Sequence, residues 1–360
     1  MLLGTVVVAF MLAFSALSQM FPVQKVYAQY PSGMTSVNGT FVDKAGYSIT
    51  FPDGWSGFTS KFGASVVPGG FQNMKNFSQI AMISVGAMNR TVIADTASKF
   101  ASMAQQFSSL GGSAQMKSLA ESYYKACSMK YAYTTINGFS AFRSTSTCDF
   151  TKVGISKNAT LSFMKQDMVM VATDSNFVVL AYSTFSADAD QKYYNQFTQS
   201  LTTFHVDNVE DVKNAMDQLT GTILKTLKVN AANNTPIDLP IASNSQVSNV
   251  SVNSGSKTLS FQVDGGSANS GMSRIAVDKV LDGPYTVTID GNQTQNVMEA
   301  TDDQTHQTYL TINYPASHHD IVIEGTQVVP EFPFVALVVP LGVLMPILLY
   351  RVKLFRNKPV

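Results

Sequence analysis

Hydrophobic and polar positions along the 360-residue chain form continuous apolar runs near the two ends, with alternating and helix-period segments between them. Gly46-Tyr47-Ser48-Ile49-Thr50-Phe51-Pro52 alternates as a half-buried strand does, and Pro52-Asp53-Gly54 turns it just before Trp55, the single tryptophan. Ile80–Gly86 is an apolar run of strand length. Residues 94–110 change to helical period: Ala97, Phe100, Ala101, Ala104, Phe107 and Leu110 share a face, and Gly111-Gly112 ends it. Asn158–Ala172 and Phe177–Phe185 are β-rich runs separated by Thr173-Asp174-Ser175-Asn176. A helix over about Asp188–Leu201 then carries Tyr193, Tyr194, Phe197 and Leu201. Residues 29–205 thus predict one α+β unit, a mostly antiparallel sheet with helices packed on it.

The next segment, Asp207–Lys228, reads as a helix. Asp207 at the N-cap and Glu210 three residues on make a capping-box-like start. Val209, Val212, Met216, Leu219, Ile223 and Leu227 recur at helical spacing, which suits either a short coiled-coil seam or packing against the first unit. Ala231-Ala232-Asn233-Asn234-Thr235-Pro236 is a polar break, so residues 206–237 are assigned to a helical linker. From 238 to 328 short alternating strands recur at Val247–Val252, Thr258–Val263, Arg274–Asp278, Tyr285–Asp290, Tyr309–Tyr314 and Asp320–Glu324. Gly, Asn and Asp turns separate them, which predicts an all-β sandwich.

The two ends read as membrane signals. Residues 2–17 carry no charge, and Val26-Tyr27-Ala28 is a small-residue site of the kind signal peptidase accepts. Residues 1–28 therefore read as a secretory signal cut between Ala28 and Gln29, with an uncleaved N-terminal anchor as the alternative. Phe332–Tyr350 spans about 19 apolar residues, or about 28 Å as a helix, enough to cross a hydrocarbon core. Arg351, Lys353, Arg356 and Lys358 follow, so the positive-inside rule sets the C-terminus in the cytoplasm and residues 29 to about 330 outside. Pro340 and Pro346 predict a kinked transmembrane helix. The expectation is a cell-surface, single-pass membrane protein.

Asn137-Gly138 is the two-residue signal for a type I′ hairpin. Pairing the flanks about it opposes Ile136 to Phe139, Tyr133 to Phe142, Tyr131 to Ser144 and, further out, Cys127 to Cys148. That last pair falls at a non-hydrogen-bonded position, where Cα atoms stand about 4.5 Å apart, within disulfide reach. Export supplies the oxidising side of the membrane. Closing a loop of about 22 residues is worth roughly 3.4 kcal/mol. A reactive thiol pair is the alternative, and it needs a lowered thiol pKa that no neighbour in the sequence supplies.

Composition narrows the function. Lys+Arg 24 balance Asp+Glu 24 and charged residues make up 13%, so there is no basic field to recruit nucleic acid. Two cysteines and four histidines leave little for a metal site. His318-His319-Asp320 is the densest group of potential ligands, yet neighbours on a strand point to opposite faces. Asp302-Asp303 and Asp188/Asp190 lack the oxygen-dense, Gly-turned loop of a calcium site. His205 and His306 stand alone. No Gly-x-Ser-x-Gly elbow, phosphate loop or HExxH helix occurs, so no catalytic, cofactor-binding or metal residue is assigned and no cofactor is expected. Glycosylation sequons stand at Asn38, Asn76, Asn89, Asn158, Asn233, Asn249 and Asn292, where glycans would help keep a charge-poor ectodomain soluble.

Three segments resemble known families. Gly46-Tyr47-Ser48-Ile49-Thr50-Phe51-Pro52-Asp53-Gly54-Trp55 and Tyr194-Asn195-Gln196-Phe197-Thr198-Gln199-Ser200-Leu201-Thr202-Thr203-Phe204, with the order of elements between them, resemble the PsbP-like fold over about residues 40–205. That resemblance implies a non-catalytic assembly or binding module and carries over no active-site residue. Pro284-Tyr285-Thr286-Val287-Thr288-Ile289-Asp290-Gly291 and Ser317-His318-His319-Asp320-Ile321-Val322-Ile323-Glu324-Gly325-Thr326 resemble a β-sandwich stalk of archaeal surface proteins, over about 240–328. Pro330-Glu331-Phe332, the apolar stretch and the basic cluster resemble a PEF-CTERM sorting tail over about 329–358, with Pro333 where related tails often carry Gly. This implies an archaeosortase that exchanges the tail for another anchor; a permanent single-span anchor is the alternative. The combined expectation is an extracellular, non-catalytic binding or envelope-assembly module on a stalk, with an extracellular partner. Its rivals are a surface hydrolase with a cleft in the α+β domain and a structural envelope component.

Overall fold

The computed structural model describes residues 35–61, 63–71, 80–92, 125–154, 162–230, 236–265, 270–294 and 296–329. In the first unit, strands β1 (Thr35–Asn38), β2 (Thr40–Asp43), β3 (Tyr47–Thr50), β4 (Trp55–Ser60), β5 (Gly63–Pro68), β6 (Ala81–Asn89), β7 (Cys127–Ile136), β8 (Phe139–Asp149), β9 (Phe163–Thr173) and β10 (Asn176–Thr184) precede helix α1 (Ala187–Leu201). Helix α2 (Val212–Thr220) follows. After it come β11 (Ile223–Asn230), β12 (Pro236–Ser243), β13 (Gln246–Asn253), β14 (Thr258–Asp264), β15 (Ser270–Ala276), β16 (Thr286–Ile289), β17 (Val297–Asp302), β18 (Thr308–Pro315) and β19 (His319–Glu324). The helix expected over 94–110 and the transmembrane helix expected over 332–350 lie outside the described residues. Among the described residues, no helix is long and apolar enough to cross a membrane.

β9 and β10 are the central strands of the first unit, and their near-continuous apolar runs follow from burial on both faces. On one face, Val169, Val171, Val178 and Leu180 pack with Tyr47, Ile49, Phe51 and Trp55 and with Phe197 and Leu201 of α1. Ser186 caps α1 by accepting from the Ala189 amide, and Asp188 and Asp190 stand in its first turn, where carboxylates suit the helix dipole. Its far end is held by the β7–β8 hairpin. Asn137 and Gly138 adopt positive φ (51° and 85°), as a type I′ turn requires, and the Asn137 amide donates to the Leu201 and Phe204 carbonyls, both at 2.8 Å. The hairpin register is the one expected, Ile136 opposite Phe139 through Cys127 opposite Cys148.

The long helix expected over Asp207–Lys228 is not formed, which corrects the helical linker at 206–237. Asn208 has φ 53°, so no helix can begin at Asp207, and Val209–Glu210 instead adds a short strand to the end of β9. The helix starts four residues later, with Asp211 accepting from the Asn214 amide. It stops at Gly221, whose left-handed backbone (φ 66°) turns the chain out of the helix. The β-branched, alternating stretch beyond forms β11, which pairs along its length with β12. The apolar stripe is thereby split and no coiled-coil seam exists. Val212 and Met216 are buried against the first unit, whereas Ile223 is 64% exposed on a sheet edge.

No spacer separates the two units, because one fourteen-stranded sheet runs through both. Its order is β1-β4-β5-β6-β10-β9-β8-β7-β17-β18-β15-β12-β11, with Val209–Glu210 beside β9. β7 and β17 join in parallel, Tyr131 to Ala300 through Tyr133 to Asp302. In the second unit this sheet faces a second one, β13-β14-β19-β16 with the two-residue strand Asn292–Gln293. Leu239, Ile241, Ile275, Leu310 and Ile312 meet Leu259, Phe261, Val263, Ile321 and Ile323 between them, a two-sheet sandwich. β12, β17 and β11 were not among the strands expected from the sequence.

Candidate binding groove at the seam of the two units

The parallel junction is fastened on one face by α2. Val212, Ala215 and Met216 pack into an apolar cluster that draws Phe142, Met168, Met170 and Phe177 from the first unit and Met272, Met298 and Ala300 from the second. Two ion pairs cross beside it. Lys213 Nζ reaches Asp302 at 2.5 Å, and Arg274 Nη2 reaches Asp217 at 2.6 Å. Both cations stand 5.4–5.7 Å from the Tyr133 and Tyr309 rings, which meet edge to face at 5.8 Å. Beyond the paired strands, the Asp303 amide donates to the Tyr133 carbonyl and Gln304 to the Thr135 hydroxyl.

The opposite face of the seam is open. A half-open groove of 490 Å³ runs along β8, β7 and β17, lined by Met129, Lys130, Tyr131, Ala132, Arg143, Thr145, Glu299 and Thr301. Strand register explains the lining, since Arg143 lies opposite Ala132 and Ala132 opposite Thr301, while Lys130 lies opposite Thr145. Lys130 and Glu299 are exposed, whereas Arg143 is held from behind. Its Nε and Nη2 donate to the two oxygens of Asp167 at 3.0 and 2.6 Å, and Nη2 also meets the Tyr194 hydroxyl at 3.2 Å. Asp167 is fully buried and also accepts from Tyr194 at 2.5 Å and from Thr145 at 3.3 Å. Those hydrogen bonds raise the Arg143 pKa further, so its charge is permanent. Burial, then the Asp167 contact, pushes the Tyr194 hydroxyl up to about 12. Lys165 sits 3.4 Å over the Tyr194 ring and pairs with Asp190 at 3.0 Å.

With four hydrogen bonds received, Asp167 has no capacity left to act as a base, and its work is to aim Arg143. The groove therefore offers a fixed guanidinium, an exposed ammonium, two threonine hydroxyls and one carboxylate over a partly apolar floor. Such a surface suits a polar, extended ligand. None of these residues was singled out in the sequence. One signal was present: Arg143 and Asp167 are opposite charges within strand-length segments of a charge-poor chain.

The residues that were singled out lie elsewhere. Cys127 and Cys148 are joined in a disulfide, at the far end of the hairpin from its turn. Asn38, Asn89, Asn249 and Asn292 are all exposed; Asn76, Asn158 and Asn233 lie outside the described residues, as do Ala28, Gln29, Pro330, Glu331, Phe332, Arg351, Lys353, Arg356 and Lys358. His318, His319 and Asp320 diverge to separate partners: His318 to Asp264 at 3.1 Å, His319 to Asp290 at 2.7 Å, and Asp320 to Gln262 at 2.8 Å. His205 meets Asp207 at 3.0 Å.

No family model matches the chain, and no curated protein matches it. Among solved structures, it is similar to the solution structure of cyanobacterial PsbP (CyanoP) from Synechocystis sp. PCC 6803. The match has 11% identity, 52% of this chain and 99% of the other covered, and a TM-score of 0.23. A likeness at that TM-score carries no argument about function.

Proposed function

We propose that this chain is a membrane-anchored extracellular surface protein whose joined sheet serves as a non-catalytic binding or envelope-assembly module. The apolar segments at its ends and the basic residues after the second supply the anchoring and the topology, and glycans on the sequon asparagines keep the ectodomain soluble. The observation that carries the binding role is the groove at the seam. Both units contribute to it, its central cation is locked in direction, and its buried carboxylate is spent on positioning rather than left free for proton transfer. The ligand class it suits is an extended, hydroxyl-bearing or mixed-charge polymer of the cell envelope. Archaeosortase exchange of the tail at Pro330-Glu331-Phe332 would leave this groove unchanged and alter the anchor alone.

Binding of the full-length protein to envelopes from cells lacking it tests this reading. Lys130→Glu and Glu299→Lys change exposed side chains and are expected to leave the melting curve in place. Each should weaken envelope binding by about tenfold, roughly 1.4 kcal/mol. Unchanged binding in both variants would remove the groove as the site.

A further inference from the structure

At one end of the five-stranded sheet, three side chains line up. β16 ends in an Asp290-Gly291 turn with φ 52° and 77°, a type I′ hairpin that points Asp290 toward β19. The Asp290 Oδ1 accepts the Asp320 amide at 2.9 Å, and its Oδ2 meets His319 Nδ1 at 2.7 Å. On the other side of the ring, His319 Nε2 lies 2.7 Å from the Ser317 Oγ. The imidazole is buried at 9% exposure, with the Tyr314 ring edge-on at 6.0 Å, whereas Ser317 is exposed.

The protonation states follow from the partners. The hydrogen bond from His319, then that from the Asp320 amide, hold the Asp290 carboxyl below its ordinary value, so it is ionised and accepts only. In the tautomer that donates from Nδ1 to this carboxylate, the Nε2 lone pair faces the serine hydroxyl. A nucleophile, a base and a residue that orients the base stand in the order that serine acyl transfer requires.

We propose that Ser317 is an acyl-accepting nucleophile with His319 as its general base and Asp290 as a positioning residue, acting on exposed carboxylic esters. Ser317 Oγ attacks the carbonyl carbon and passes its proton to His319 Nε2. The ester C–O bond then breaks, and that proton leaves with the alcohol. Water repeats the sequence on the acyl-serine, releasing the acid and restoring Ser317. Because the hydroxyl is exposed, the ester reaches it without entering a cavity, which suits acyl groups on a large molecule. This site is separate from the seam groove, and its failure would leave the binding role standing.

A fluorophosphonate probe tests the site directly, since the Ser317 oxygen would bond to phosphorus as the P–F bond breaks and the proton leaves with fluoride. Peptide mapping of the full-length folded protein should place the label on Ser317, with no label after denaturation. His319→Asn should slow labelling by about a hundredfold or more, the usual span of general-base catalysis. Asp290→Asn should lower the maximal labelling rate without changing the half-saturating probe concentration, a split that loss of packing alone would not produce. Ser317→Ala should abolish labelling and keep the melting curve of the parent. Labelling absent from Ser317 in the folded protein, or unaffected by His319→Asn, would reduce the three residues to a hydrogen-bonded strand end and overturn the proposal.

Discussion

Two arginine–aspartate pairs share the same 2.6 Å contact and serve opposite ends. In Arg143–Asp167, inside the first unit, the carboxylate is sealed and the guanidinium is 30% exposed toward the groove. In Arg274–Asp217, across the seam, the guanidinium is the more deeply buried, at 7% exposure against 14%. A buried pair adds little net stability, because desolvation offsets the attraction, but removing one member strands the other. The inward charge of each pair is the one that cannot be stranded. What differs is where the other charge points: outward for recognition in the first pair, into a clasp between units in the second.

Removing single members should separate the pairs most sharply. Arg143→Ala leaves Asp167 sealed and charged and should cost about 3–5 kcal/mol, while Asp167→Ala lets Arg143 turn into the groove and should cost less. At the seam the order reverses. Asp217→Ala strands Arg274 and should cost about 3–5 kcal/mol; Arg274→Ala should cost less, because Asp217 keeps the Thr222 hydroxyl at 2.9 Å. Urea unfolding of the four variants reads the crossing. If the arginine variants proved costlier at both sites, burial of the partner would not be what sets the penalty.

The disulfide acts on the first unit in a different way, by restricting the unfolded chain. Cys127→Ser with Cys148→Ser should lower stability by roughly 3.4 kcal/mol, the loop-entropy value for about 22 residues. The loss should be similar with and without the Asp217→Ala change, since the crosslink and the seam clasp share no partner. A double cycle in which the two losses failed to add would place the crosslink's effect in the folded seam instead.

That pairing was legible because Asn137-Gly138 fixes a hairpin register and register fixes every pair beyond it. Sandwich strands such as Thr258–Asp264 and His319–Glu324 were legible for a related reason, their strict alternation. The segment after Asp207 misled because spacings of three and four fit a helix until Gly221, and helical period gives no weight to one glycine or to an Asn208 at positive φ. The parallel β7–β17 junction was out of reach. It joins residues 169 apart in the chain through backbone hydrogen bonds, which no side-chain pattern announces. The groove inherits that limit, because Glu299 and Thr301 reach it only across the junction. Asp290, His319 and Ser317 were all within quoted segments, but their alignment depends on the turn conformation at Asp290.

The clasp should also respond to acid, by a smaller margin. Burial pushes the Asp302 carboxyl up, but the Lys213 ammonium and the amides of Thr305 and Gln304 outweigh it and hold it below its ordinary value. A carboxyl lowered in the folded state contributes its full stabilisation above its unfolded value of about 3.9, and loses it as pH falls through the folded value. Lys213 is held above its ordinary value, so it stays charged throughout that range. Asp290 is lowered too and shares the direction. The difference between the parent and Asp302→Asn therefore isolates the seam. The melting temperatures of the two should be furthest apart near neutral pH and converge below about pH 4, by about 2–4 °C for each kcal/mol lost. A constant gap down to strong acid would mean that Asp302 supports the seam through its turn geometry, with its charge playing no part.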